Sequence, residues 1–235
     1  RTRSKVAVMS QSKLIHLAAD LSHYHTDYLW KLPGSWEGYP YYSSPEFYED
    51  IARTAARGIM DMLFFGDSGG TPEDYGGNHH AAVRYGTKWP RHDMMPMIPC
   101  MSRVAEGVGF GITMSTTYHH PFHIARVFNG LDHVTKGRIA WNAVTSRSKN
   151  EAANYGYKKM IEHDVRYERA QEHLQVCRLL WDSIEPDAIK FDRESGIFGD
   201  PDKVHLLNFE GEYYSVRGPL PACPSPQRRP VIIQA

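Results

Sequence analysis

The side chains best placed for chemistry are polar and mostly uncharged, and they fall where apolar runs end. Asp67 follows the run Met60–Phe65 after one glycine. Thr113, Ser115, Thr116 and Thr117 close the run Val108–Met114, and Asn142, Thr145 and Ser146 close Arg138–Val144. In a barrel of parallel strands, residues at the C-terminal strand ends face the ligand. Hydroxyls and amides there suit hydrogen bonding to a heteroaromatic ligand better than hydrolysis. The competing reading is that strand-end Thr and Asn merely cap the helices that follow. A second group is His163-Asp164-Val165-Arg166-Tyr167. His163 and Tyr167 stand i, i+4 and so share one face of a helix. A helix N-terminus with added His, Tyr and Arg is a candidate phosphate site. The alternative is an ordinary charged first turn.

Other chemistries find weaker support. His23-Tyr24-His25 is an H-x-H after the first apolar run, a pattern by which metal-dependent barrel hydrolases hold an ion, and His119, His120 and His123 could add ligands. Against this, His23 lies five residues past Ala18, in a loop rather than at a strand tip, and the fourth strand ends without a Lys. No metal is expected. Cys177 falls on an apolar helix face and Cys223 in a proline-rich connector, which disfavours a thiol nucleophile. Gly69-Gly70 and Gly76-Gly77 lack the spacing of a dinucleotide fingerprint.

The elements that must position these groups alternate strand and helix. Leu14–Ala18 has the character of a first strand. Ser44-Pro45-Glu46 starts a helix, with Ser as N-cap and Pro in the first turn, and Gly58 ends it. Met60–Phe65 is a buried strand. Met95–Glu106 is helical and ends at Gly107, before the strand Val108–Met114. Pro121 opens a helix with Ile124, Val127, Phe128 and Leu131 on one face; Gly137 closes it, and Arg138–Val144 follows as a strand. Asp164–Ser183 is a long helix. Three helices thus end at glycine before a strand, which predicts a parallel sheet with right-handed crossovers. Ser22–Tyr42 and Ser68–Asp93 are long loops, and loops of that length are usually functional. Within about 185–227 lies an insertion with a hairpin of Val204–Phe209 and Tyr213–Val216. Val231–Gln234 begins a fifth strand.

Composition narrows the partners. Lys+Arg and Asp+Glu are both 27 in 235 residues, so the formal net charge is zero. This disfavours a broad basic face for nucleic acid or a polybasic membrane anchor. No apolar run approaches the ~20 residues of a membrane span. Three scattered cysteines form no disulfide framework, consistent with a reduced cytoplasmic setting. Aromatics at 12% and 13 histidines are rich for a purely structural domain.

The run Lys136-Gly137-Arg138-Ile139-Ala140-Trp141-Asn142-Ala143-Val144-Thr145-Ser146 precedes the helix start His163-Asp164-Val165-Arg166-Tyr167. Together they resemble the bacterial luciferase-like flavin-dependent monooxygenases, in the branch of the nitrilotriacetate, dibenzothiophene-sulfone and dimethyl-sulfide monooxygenases, whose H-D-E-R-Y the second motif matches except at Val165. Ser195-Gly196-Ile197-Phe198, Asp202-Lys203-Val204-His205, Gly211-Glu212-Tyr213-Tyr214 and Arg217-Gly218-Pro219-Leu220 match its insertion, and Ser225-Pro226-Gln227 with Pro230–Ala235 match too. The resemblance implies an α/β fold, a (β/α)8 TIM barrel with insertions. It implies reduced FMN as cofactor, supplied by a separate NAD(P)H:flavin reductase, with O2 and a small organic substrate oxidised through a peroxyflavin. It places Asp67, Thr113, Asn142, Thr145, His163 and Tyr167 at the flavin, with Asn142 and Thr113 as catalytic candidates. His25, Trp36, Tyr75 and His119 are candidate substrate contacts. Family members form homodimers or homotetramers. A non-catalytic flavin-binding paralogue and a deazaflavin-using relative are the alternatives.

The element count sharpens the length. A closed barrel needs eight strands, and five are found. The chain starts at Arg1 and stops in an apolar run at Gln234-Ala235. The expectation is therefore that 1–235 is the N-terminal part of a single TIM-barrel domain, with the remaining strands and the family's serine-bearing phosphate loop outside it.

Overall fold

The computed structural model describes residues 15–22, 29–36 and 44–234. In chain order they form β1 (Ala18–Asp20), α1 (Pro45–Arg57), β2 (Met62–Phe65), α2 (His80–Tyr85) and α3 (Ile98–Val104). Next come β3 (Gly109–Ser115), α4 (Pro121–Thr135), β4 (Ile139–Val144), α5 (Lys149–Asn154) and α6 (His163–Asp182). Two short hairpins follow, β5 (Ile189–Asp192) with β6 (Ile197–Gly199) and β7 (Phe209–Glu210) with β8 (Ser215–Val216). The chain then returns as β9 (Val231–Ile233). The main sheet is wholly parallel in the order β1-β2-β3-β4-β9, the sequential order of a (β/α) barrel wall.

Strand alternation divides the sheet's two faces. Leu63, Phe65, Phe110, Ile112, Ile139 and Trp141 are buried against the helices, where Ala52, Ile98, Met101, Ile124, Phe128 and Leu180 meet them. This layer is the hydrophobic core. Met62, Phe64, Gly111, Thr113, Ala140 and Asn142 take the other face. A Cβ on Gly111 would stand 3.2 Å from Met62 Sδ and from Phe64 Cδ2, and 3.3 Å from Ile233 Cδ1. The missing side chain therefore lets side chains from the flanking β2 and from β9 converge there.

Long-range polar anchors set the layers. The Arg138 guanidinium donates to the carbonyls of Ser102 (2.9 Å), Ala105 (2.6 Å), Val108 (2.8 Å) and Thr135 (2.8 Å), tying the ends of α3 and α4 to the start of β4. Gln227 donates to both carboxylate oxygens of buried Asp132 and to Ile139 O, which pins the returning connector before β9. Glu172 on α6 accepts the backbone N–H groups of Glu212, Tyr213 and Tyr214 at 2.8–3.0 Å, which anchors the second hairpin.

The alternating pattern expected from sequence holds, with local differences. The first strand runs Ala18–Asp20 and takes only Ala18 from the expected Leu14–Ala18, of which Leu14 lies outside the described residues: Ile15 is 84% exposed, and Asp61 binds the Leu17 N–H before the ladder begins. The helix expected at Met95–Glu106 opens as a 3-10 turn (Met95–Met97) and is α-helical over Ile98–Val104. Pro99 lacks the N–H that an α ladder begun at Met95 would donate to the Met95 carbonyl. The expected long hairpin shrinks to Phe209–Glu210 and Ser215–Val216, because Val204 instead bridges to Ile184. α2, α5 and the β5–β6 hairpin are additional elements. No helix among the described residues is long and apolar enough to cross a membrane.

Candidate active-site cleft

A cleft of about 1140 Å³ opens at the C-terminal ends of β2, β4 and β9. Asp67 and Ser68 enter it from β2, Ala143–Ser146 from β4, Gln234 from β9 and Tyr167 from α6. Lys88, Arg91, Arg147 and Lys149 share the lining with Glu73, Asp74 and Glu151. The concentration of polar groups at strand ends follows from parallel geometry: the last strand carbonyls and the loops beyond them have no ladder partner and turn to side chains.

The ends of β3 and β4 are latched side by side. Thr116 Oγ1 donates to Val144 O at 3.1 Å, and Thr117 Oγ1 to Thr145 O at 2.5 Å. Ser146 Oγ meets Ser115 Oγ at 2.9 Å, with Ser146 held at φ +51°. The Arg166 side chain, buried in the first turn of α6, donates to Ser146 O. Trp141 Nε1–H donates to Met114 O at 3.0 Å from the core side. These bonds fix the backbone on which Thr145 and Ser146 face the cleft.

Asp67 stands two residues beyond β2. Burial pushes its carboxyl up to about 6, and nearby Asp93 and Glu151 add to the rise. The Ser68 N–H, donating at 2.7 Å, and the Arg91 guanidinium oppose it. Asn142 and Thr113 are direct partners in the β3–β4 register, and Asn142 Nδ2 donates to Thr113 Oγ1 at 2.8 Å. Asn142 is only 4% exposed, yet its Oδ1 has no hydrogen-bond partner among the described residues. That orphaned acceptor lies on the non-core face, one residue before cleft-lining Ala143. His163 and Tyr167 stack loosely, ring centres 4.8 Å apart, and His163 Nδ1 contacts Asp164 at 2.7 Å on an exposed surface.

The expected site residues therefore divide. Asp67, Thr145 and Tyr167 line the cleft, Asn142 and Thr113 pair on the sheet's non-core face outside the lining, and His163 packs on Tyr167. Trp36 packs on Phe47 of α1, 5.6 Å between ring centres, and does not line the cleft. Tyr75 is 81% exposed and also lies off the lining. His119 is also off the lining, with Nε2 3.5 Å from the Tyr155 hydroxyl. His25, with His23, lies outside the described residues. No group of three or more metal-binding side chains occurs among the described residues. Sequence reasoning missed Ser68, Arg91, Arg147 and Glu151. One signal was available for the last: Ser148-x-x-Glu151 is a capping-box spacing, and Ser148 Oγ does accept the Glu151 N–H at 3.3 Å.

Comparison with known proteins agrees with this architecture. The family model of the luciferase-like monooxygenases matches residues 30–235. Dibenzothiophene-sulfone monooxygenase of Rhodococcus erythropolis (strain XP) is 39% identical over 236 residues, covering 97% of this chain and 50% of its own length. The crystal structure of long-chain alkane monooxygenase superposes with a TM-score of 0.87 at 39% identity, covering 95% of this chain and 52% of that one. A riboflavin lyase structure with modified FMN and substrate riboflavin superposes at 0.85 and 28% identity, covering 94% and 50%. The chain spans about half the length of the relatives it matches. With 206 consecutive residues under the family model and the barrel-wall topology in place, this chain belongs to the luciferase-like monooxygenase family.

Proposed function

We propose that the cleft is the flavin-ring site of an FMNH2- and O2-dependent monooxygenase acting on a small organic substrate. The observation that carries this reading is the Oδ1 of buried Asn142, which has no partner among the described residues and sits beside Thr113 on the sheet's non-core face near its C-terminal edge. A buried acceptor left unpaired costs about 1–3 kcal/mol, so the site is built for a ligand donor. The N–H edge of a flavin ring fits that need, and a cleft of about 1140 Å³ accommodates a ring system of that size. Reduced flavin, when bound, supplies the electrons that activate O2; the protein's part is orientation and exclusion of water.

Each residue then has a defined task. Asn142 Oδ1 would accept from the ring, and Thr113, whose Oγ1 already accepts from Asn142, keeps its own proton to donate. Asp67, titrating near 6, holds or releases a proton at the cleft wall. Tyr167, which lines the cleft, and His163, which packs on it, would hold the phosphate-bearing chain of the flavin. Family membership supports a cytoplasmic two-component arrangement, in which a separate NAD(P)H:flavin reductase delivers FMNH2 to a homo-oligomeric oxygenase whose barrel is completed by further strands.

Anaerobic titration of the full-length protein with FMNH2, followed by O2 and a substrate panel, tests the reading. Asn142→Ala is expected to weaken FMNH2 binding roughly tenfold, the loss of one buried hydrogen bond. No saturable flavin binding by the wild type, with no oxygenated product, refutes it.

A further inference from the structure

One wall of the cleft is built from two pieces far apart in sequence: the loop after β2 and the short helix α5. Three α5 side chains reach the loop. Asn150 Nδ2 donates to Thr71 O at 2.8 Å, Asn154 Nδ2 to Gly69 O at 2.6 Å, and Glu151 accepts the Ser68 hydroxyl at 3.2 Å. These loop carbonyls lie beyond the end of β2 and have no ladder to join. Glu151 is itself only 6% exposed. Contact is closest at Gly70, where a Cβ would stand 2.8 Å from Glu151 N and 2.9 Å from Ser148 Oγ. At neighbouring Gly69 the nearest atoms are 3.5 Å away, an ordinary contact. The loop is therefore seated on α5 by polar side chains at both ends and a glycine at its centre. Asp67 immediately precedes the loop, and its backbone successor Ser68 is one of the seated groups.

We infer that α5 is a clamp, in which Asn150, Glu151 and Asn154 are positioning residues that hold loop 68–71 against the cleft wall and thereby fix Asp67. The same seating gives Glu151 a second role, because its carboxylate is one of the charges facing Asp67. The others are Arg91 and Asp93 from the segment following α2. The clamp goes beyond the flavin assignment and rests on it only in taking the cleft as the ligand site.

Adjacent glycines make a matched test in the full-length protein. Amide hydrogen exchange at residues 68–71 and FMN titration are measured for Gly70→Ala and Gly69→Ala. Gly70→Ala meets backbone and is expected to speed exchange and weaken FMN binding by roughly tenfold or more, whereas Gly69→Ala leaves both near wild type. Asn150→Ala with Asn154→Ala releases the loop without steric insertion and is expected to speed exchange likewise. Glu151→Gln keeps an acceptor for Ser68 but removes the charge. It is expected to leave exchange unchanged and to lower the Asp67 midpoint, followed by carboxyl NMR. Equal behaviour of the two glycine variants, or unchanged exchange in the double asparagine variant, overturns the clamp. An unmoved Asp67 midpoint in Glu151→Gln overturns its link to Asp67. A wild type that takes no FMN sinks the flavin reading, while the exchange data still decide the clamp.

Discussion

Asp67→Asn is expected to stabilise this protein at alkaline pH and to do nothing for it in acid. Burial pushes the Asp67 carboxyl up from 3.8 to about 6. Between those values the folded chain holds a proton that the unfolded chain has released. The folded state then binds more protons, so stability falls as pH rises. At about 1.36 kcal/mol per decade, the full loss is roughly 3 kcal/mol, complete above pH 6 and absent below 3.8. Asparagine keeps an oxygen for the Ser68 N–H and carries no charge to desolvate. Urea unfolding of both proteins, from pH 3.5 to 8, measures the difference directly. The two curves should coincide near pH 3.5 and separate by up to about 3 kcal/mol at pH 8. A pH-independent difference, or a variant that loses ground as pH rises, refutes the argument that burial governs Asp67. A carboxylate kept at such a cost is characteristic of a functional site rather than of a stabilising one.

The opposite slope is expected from His173. Fully buried between Trp141 and Tyr214, with Nε2 3.1 Å from His119 O, it is pushed down to about 4 by its burial. The unfolded chain gains a proton between pH 6.5 and 4 while the folded chain does not, so stability drops by roughly 3 kcal/mol as pH falls through that window. His173→Gln should flatten this slope in urea unfolding at pH 4 against pH 7; an unchanged slope counts against it. Arg138→Met leaves the carbonyls of Ser102, Ala105, Val108 and Thr135 without their shared donor. A loss of about 3 kcal/mol in the unfolding free energy is expected, and Arg138→Lys should recover only part of it. A loss below about 1 kcal/mol means that water replaces the guanidinium.

Much of the frame was legible because it rests on local chemistry. Ser44-Pro45 starts α1 and Gly58 ends it. Pro121 opens α4, and the chain turns left-handed at Lys136 and Gly137 before β4. Each signal acts within a turn of the residue that carries it. Strand identities for β2, β3 and β4 followed from apolar runs of the right length. The misjudged parts depend on partners elsewhere. β1 starts at Ala18 because its ladder begins with Met62, and Leu17 is claimed by the Asp61 carboxylate instead. α5 has only six residues, too short to announce itself by periodicity, and is stabilised by docking on the loop beyond β2.

The candidate site divides along the same line. From sequence alone came the strand-end positions of Asp67, Thr113, Asn142 and Thr145, since a parallel strand's end is set by its own apolar run. Sequence likewise supplied the i, i+4 pairing of His163 with Tyr167. Only the tertiary structure put Asn142 beside Thr113 with an acceptor unspent, raised the Asp67 carboxyl by burying it, and brought Glu151 across 83 positions to Ser68. It also set Trp36 on α1 and Tyr75 in solvent, two long-loop residues that the resemblance had made candidate substrate contacts. Residue type and local spacing determine which groups a strand or helix presents. Burial, charge state and partnership are properties of neighbours distant in the chain, and they exist only once β2, β4 and α5 have been packed around one cleft.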